Sequence, residues 1–334
     1  MHMSDALISP GVGGAMFVAS ATIIGLTIRK ISPEETREKL PFMAVLGAFT
    51  FAAQMINFTI PGTGASGHLS GAILLAAVLG TAPALMTIAA ILILQCLLFA
   101  DGGLLALGAN LFNMGILPIC VAWPLMSKLI RRDDAIHPER RMSWCAITAA
   151  ITGLLLGATG VVLETIASGV TAMPFATFAT LMLPIHAIIG TVEGVVTAAI
   201  ILYIQKVRPE LLNHNHKTPP KRAYPLILTA TVATILTAGG LSWFASTNPD
   251  GLEWAIEKNL DAIPDEDALS PTHQSARHIQ ETTTLMPDYD FDDQNARGTA
   301  TAGLLGAAAT AALALALGAA VAFIKRRKNN PCQP

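Results

Sequence analysis

Charge is scarce in this 334-residue chain: Asp, Glu, Lys and Arg make up 13% of it, about half of the roughly 25% found in soluble domains. Together with a 52% hydrophobic content, that scarcity excludes an ordinary soluble enzyme. No excess of one sign exists either. The 21 Lys and Arg nearly balance the 23 Asp and Glu, whereas a nucleic-acid binder concentrates base on one face. Cysteine is sparse and carries no C-x-x-C pair or zinc spacing. Cys96, Cys120 and Cys145 lie in apolar runs and Cys332 at the tail, as reduced packing residues. Neither a G-x-x-x-x-G-K-[ST] phosphate loop nor an H-E-x-x-H helix occurs, so the chain has no ATPase motif and no zinc-protease helix of its own.

What the sequence does contain is apolar runs long enough to cross a bilayer, about 20 residues each. Windows at about 11–28, 41–58, 70–82, 84–100, 110–127, 144–163, 186–205, 224–245 and 299–324 predict nine spans of an all-α integral membrane protein. The third is short and Gly-flanked, with Pro83 opening the next, so 70–100 alternatively reads as one broken helix. Basic residues set the orientation, because Lys and Arg stay on the cytoplasmic side. Segments 29–39, 128–141, 206–222 and 325–328 hold 18 of the 21. Nine crossings put all four on one face, with the N-terminus outside and the C-terminus cytoplasmic. Missing a crossing at 70–100 would scatter them, so the charge pattern supports counting 70–82.

The first ten residues, MHMSDALISP, lack the basic n-region and small-residue cleavage site of a signal peptide, so the start is expected to be retained. Methionine aminopeptidase requires a small second side chain, and His2 is not small, so Met1 is expected to survive with a free amine. The Met1 amine, the His2 backbone nitrogen and His2 Nδ1 can close a five- and a six-membered chelate ring on one ion. Planar nitrogen sets suit Ni(II) or Cu(II). Because protons must leave these nitrogens, affinity should climb with pH. A Met-His start also arises by chance. A fourth nitrogen on the same side comes from the Gly-rich loop Pro61 to His68, whose glycines would let it fold back and present His68 to the amine. A solvated turn with an incidental histidine is the plainer account of the loop alone.

At these residues the chain resembles the substrate-binding component of energy-coupling-factor transporters for nickel or cobalt, the NikM/CbiM family. The resemblance is carried by Met1-His2-Met3-Ser4-Asp5-Ala6-Leu7, the loop Gly64 to Gly71, the stretch Gln95 to Met114 and the stretch His186 to Thr197. It covers residues 1 to about 210, the family's seven-helix domain. It implies metal ligands Met1, His2 and His68, and partners in a membrane-embedded coupling subunit and two ATPase subunits. Beyond a cytoplasmic hinge at 211–223, Pro249-Asp250-Gly251-Leu252-Glu253 resembles the PDGLE signature of the small accessory subunit NikN or CbiN, fused here as residues 224–334. Pro287-Asp288-Tyr289-Asp290 reads as a degenerate second copy. The loop 246–298 holds 12 of the 23 acidic residues. It would concentrate cations by its field or is simply a solvated loop, and no direct ligand is assigned to it.

Ionisable and amide groups inside apolar segments are rare and often functional. Asp101 and Asn110, with Asn57 at the outer end of the second span, are expected to orient the N-terminal loop. His186 and Glu193, seven apart on one helix face, are expected to hydrogen-bond and pack rather than ligate. His214 and His216 fall on the hinge, read as solvated linker before a metal-relay role. The reading is capture and ATP-driven uptake of a divalent transition metal, nickel before cobalt, with the ion as cargo, the lipid bilayer as surroundings, and no further cofactor or nucleic acid. Cobalt uptake serving cobalamin synthesis is the alternative. A stand-alone permease would need a charged, hydrated path, and an intramembrane metalloenzyme a general base and an open coordination position; the spans offer little for either.

Overall fold

The computed structural model of the chain describes residues 1–131, 138–212, 224–259, 270–289 and 296–329. His214 and His216 lie outside the described residues. After a short turn at Asp5–Leu7 comes α1 (Pro10–Lys30), opened by the Ser9 side chain accepting from Val12 N–H and by Pro10 at its first position. Those are the residues a helix start favours, since proline has no N–H to leave unpaired. Helix α2 (Pro33–Gln54) starts the same way, on Ser32 and Pro33.

Among the described residues, six helices are long and apolar enough to cross a membrane: Pro10–Lys30, Thr81–Leu98, Leu107–Ile130, Glu139–Ser168, Phe175–Val207 and Gly298–Arg327. Their flanks leave Phe17, Val18, Leu163 and Val195 exposed, as expected where lipid is the solvent. The protein is membrane-embedded. The other three of the nine expected windows hold shorter or more polar helices. The window at 41–58 is the inner part of α2, which begins at Pro33 among Glu34, Glu35, Arg37, Glu38 and Lys39 and ends at Gln54. That at 224–245 holds α9 (Tyr224–Gly239), followed by a tight turn at Leu241–Phe244.

The window at 70–82 is the informative one. Helix α3 (Ala72–Leu79) has eight residues, about 12 Å at 1.5 Å per residue, too short for a core of about 30 Å. Yet the Leu79 carbonyl accepts from Lys39 Nζ at 2.7 Å, so α3 ends beside the basic start of α2. The loop 55–71 thus leads from Gln54 at one end of α2 to α3, which ends beside Lys39 near the other. At Gly80, with φ of 77°, the chain reverses into α4 (Thr81–Leu98).

The rest of the first unit is α5 (Leu107–Asn110), a π-helical stretch Leu111–Ala122, α6 (Trp123–Arg131), α7 (Pro138–Ser168) and α8 (Phe175–Val207), with α7 packed along α8. The accessory region adds α9, α10 (Gly251–Glu257), α11 (Pro271–Thr283) and α12 (Ala296–Asn329). Helix α12 lies against α2, where Gly306 faces the Phe51 ring and Gly318 faces Leu40 and Met43. Small residues permit such close approach where apolar burial gives little drive. At the basic end, Lys325 donates to the Ile28 and Arg29 carbonyls at 2.6 and 3.1 Å and to Ile31, satisfying the last carbonyls of α1.

Candidate metal centre

The amino terminus is threaded into the bundle at the end opposite Lys39. The Met1 side chain is buried, its Cε against Gly157 of α7. Met3 is fixed by Asn110, whose Oδ1 accepts from Met3 N–H at 2.8 Å and whose Nδ2 donates to the Met3 carbonyl at 3.1 Å. Gly103 N–H donates to the same carbonyl at 2.9 Å. A side chain at Gly103 would overlap Asp5, whose Oδ1 accepts from Ala106 N–H at 3.0 Å. The Asp-Gly-Gly run at 101–103 thus lets the first five residues lie against it.

Residues 58–67 form a hairpin, β1 (Phe58–Thr59) against β2 (Ser66–Gly67), that carries His68 inward. The loop is not a loose turn. Glu193 on α8 accepts from Ser70 N–H at 2.7 Å, Ser70 Oγ at 2.8 Å and Gly71 N–H at 3.2 Å. Gln54 Nε2 donates to the Ser70 carbonyl at 2.7 Å.

These supports bring Met1, His2 and His68 together. Met1 N lies 3.4 Å from His68 Nε2, and the His2 and His68 rings stack with centroids 5.3 Å apart. Two nitrogens about 2.0 Å from one ion are at most about 4 Å apart, so one cation fits between Met1 and His68. His68 Nδ1 donates to the Leu69 carbonyl at 3.2 Å, leaving Nε2 as the bare nitrogen facing the amine. His2 is held differently: Nδ1 is 3.0 Å from Asp101 Oδ1, and Nε2 is 3.1 Å from Gln95 Oε1. A neutral imidazole has one N–H, and both partners are acceptors. Chelation through His2 Nδ1 requires it to exchange Asp101 for the ion.

Burial, reinforced by the Met1 ammonium, lowers the His2 imidazole to about 3 and the His68 imidazole to about 4, against opposition from Asp250. Both rings are neutral at physiological pH, the form that binds metal. Burial raises Asp101, while a 2.5 Å hydrogen bond from Tyr289 Oη opposes the rise.

Sequence reading missed Asp250. Its carboxylate forms an ion pair with the Met1 amine. Burial alone would raise its pKa; the ammonium and His68 override that and hold it well below the carboxylate range. Asp250 Oδ1 also accepts from Leu252 and Glu253 N–H, both at 2.8 Å, while Glu253 Oε2 accepts from Asp250 N–H at 2.9 Å. This capping box opens α10 and is the structural content of the Pro-Asp-Gly-Leu-Glu run. Ser66 joins the turn to the His68 hairpin, donating N–H to the Pro249 carbonyl at 2.7 Å and Oγ to the Asn248 carbonyl at 2.7 Å.

Other accessory contacts cover the same end. His273 Nε2 donates to the Ile8 carbonyl at 2.9 Å, and Gln280 Nε2 donates to the Gly102 carbonyl at 2.7 Å. Tyr289 stacks on Phe99, centroids 4.8 Å apart. The Pro287–Tyr289 turn is not a second copy of the first: Asp288 sits at a φ of 49° in a three-residue turn and opens no α-helix. The expectation that the acidic loop only solvates or attracts is corrected for Asp250.

Asn110 and Asp101 sit where orienting residues were expected. Asn57 does not: the chain leaves the helix at Met55, and the Asn57 carbonyl accepts from Ser246 N–H at 2.7 Å. Among the described residues, no hydrogen bond joins its side chain to Met1, His2 or His68. His186 and Glu193 are both buried but bond to different partners, Glu193 to Ser70 and Gly71, and His186 Nδ1 to its own helix at the Met182 carbonyl, 2.8 Å away. Among the described residues no three His, Cys, Asp or Glu side chains converge as a metal cluster.

Residues 2–211 match the family described as the cobalt uptake substrate-specific transmembrane region, and residues 225–323 match the PDGLE domain. A putative metal transport protein of Haloquadratum walsbyi is 35% identical over 212 residues, 64% of this chain and 93% of that one. The putative fused nickel transport protein NikMN of Archaeoglobus fulgidus is 29% identical over 324 residues, 95% of this chain and 98% of its own. A crystal structure of a transition metal transporter superposes with a TM-score of 0.54 at 28% identity, covering 68% of this chain and 99% of that one. The chain therefore belongs to the CbiM family of cobalt uptake substrate-specific transmembrane proteins and is a NikM/CbiM-type unit fused to a NikN-like PDGLE region.

Proposed function

We propose that this protein captures a divalent transition-metal ion at its extracytoplasmic face, nickel before cobalt, and serves as the substrate-specific component of an ATP-driven uptake system. The carrying observation is the convergence of the Met1 amine and His68 Nε2, 3.4 Å apart, beside the His2 ring. The chelate is formed by the Met1 amine, the His2 backbone nitrogen and His2 Nδ1, with His68 Nε2 as the fourth donor. Four nitrogens in a plane favour nickel, and copper is kept out by availability rather than affinity. The positive-inside pattern supports an outside N-terminus. Energy comes from a coupling subunit and two ATPase subunits, whose cycle distorts the bundle and releases the ion inward. Fused NikMN relatives favour nickel. Cobalt is the second reading, favoured by relatives named as cobalt transport proteins.

Metal analysis of the purified chain tests this. Wild type is expected to hold about one nickel per chain; His2→Ala, His68→Ala and an N-terminally acetylated form are expected to hold little. Full retention by His68→Ala would remove it from the ligand set.

A further inference from the structure

The proposed ligand nitrogens already face protein partners. The Met1 amine is paired with Asp250 and faces His68 Nε2; the His2 ring lies between two acceptors, Asp101 Oδ1 and Gln95 Oε1, of which its one N–H can serve only one. A fourth ring borders the same place. His186 lines the small cavity formed with Met1, His68, Ser70, Asp250 and Gly251, and is 1% exposed. Its Nδ1 lies 2.8 Å from the Met182 carbonyl, an atom that only accepts, so Nδ1 carries the proton of the neutral ring. Its Nε2 is buried with no hydrogen-bond partner. A buried polar atom left unpaired costs about 1–3 kcal/mol. An imidazole with one N–H anchored on a backbone carbonyl and the other nitrogen bare is also how protein structures prepare a metal ligand. His68, on the Leu69 carbonyl, has the same arrangement.

The location adds a direction. His186 lies directly beneath the Pro-Asp-Gly turn: a Cβ at Gly251 would stand 3.1 Å from His186 Cε1 and 2.7 Å from Ile185 Cγ2. Glycine there lets the accessory turn settle onto the ring. The Asp250 carboxylate of the turn and His186 thus line one cavity, and His186 Nε2 has no hydrogen-bond partner there.

Building on the proposed ligand set, we infer that His186 Nε2 is a loading ligand: it takes the incoming cation first and hands it to Met1, His2 and His68, and it is absent from the final square. A step that precedes the final complex speeds loading and unloading by the same factor, so its loss leaves affinity untouched.

The experiment mixes full-length, metal-free protein with Ni2+ in a stopped-flow instrument, follows the absorbance of the nickel–nitrogen complex, and measures dissociation into excess chelator. His186→Gln retains a donor for the Met182 carbonyl; His186→Ala is the second variant, and thermal midpoints confirm that each is folded. Both are expected to slow association and dissociation together by about tenfold or more, equivalent to about 1.4 kcal/mol in the barrier, with stoichiometry and Kd unchanged. An unchanged association rate, or a weaker Kd arising from faster dissociation alone, would overturn the inference. If nickel binding is intact and lost in His68→Ala while His186→Gln loads normally, only this inference fails. Absence of binding by wild type would overturn the ligand set and the inference alike.

Discussion

The Asp250 carboxylate reaches across 249 positions of sequence to the Met1 amine. One oxygen, Oδ1, builds the turn by accepting from Leu252 and Glu253; the other, Oδ2, meets the ammonium. The accessory region thereby holds the amino terminus beside His68 with a carboxylate.

Asp250→Asn preserves the turn oxygen and removes the charge, so it isolates the ion pair. Leaving the ammonium buried and unpaired costs a substantial part of the 3–5 kcal/mol typical of broken buried pairs. Amide protection across Met3–Ile8 in the metal-free protein is expected to fall about tenfold or more, at about 1.4 kcal/mol per decade. Hydrogen-exchange mass spectrometry reads this directly, and unchanged exchange would show that the pair does not hold the segment.

Asn110→Ala removes both side-chain bonds to Met3 and touches none of the proposed donor nitrogens. Loss of such orienting contacts lowers metal affinity by about 10- to 100-fold. Isothermal titration with nickel should show that weakening with the stoichiometry intact. Loss of stoichiometry would instead make Asn110 part of the donor set.

Acid should destabilise the metal-free protein. His68 titrates at about 4 and His2 at about 3 when folded, both below the ordinary 6.5. Between pH 6.5 and those values the unfolded chain binds more protons than the folded one, so stability rises with pH through that window and falls on acidification. Asp250 works in the same sense lower down: its depressed pKa contributes stability above the usual carboxylate range that is lost as pH falls through the folded value. The thermal midpoint is expected to drop from pH 7 to pH 4, and His68→Gln to flatten part of that drop. A flat wild-type profile would contradict the neutral, buried rings.

The proposed donors could be named from the sequence because their chemistry is local: a Met-His start can close a chelate, and a single histidine stands in a glycine-rich loop. Asp101 and Asn110 stood out as polar residues beside an apolar run. Periodicity put His186 and Glu193 on one face, yet gave no hint that one would clamp Ser70 and the other face a cavity, since partners come from packing. Asp250 was hidden among 12 acidic residues of one loop. Its Asp-Gly-Leu-Glu spacing announces a helix start, but the bridge from Ser66 to Pro249 that aims it at Met1 is long-range. A hydropathy window marked 70–82 as short and Gly-flanked but did not give the eight-residue bounds of α3, Ala72–Leu79.

Carrying the PDGLE unit on the same polypeptide changes the kinetics of cover formation. Where two separate subunits must meet, occupancy of the Met1–Asp250 contact depends on how much of each is made; here it is unimolecular, with the millimolar effective concentrations that a tether supplies. Every copy of the protein comes with its own counter-ion, in fixed one-to-one supply, whatever the level of expression.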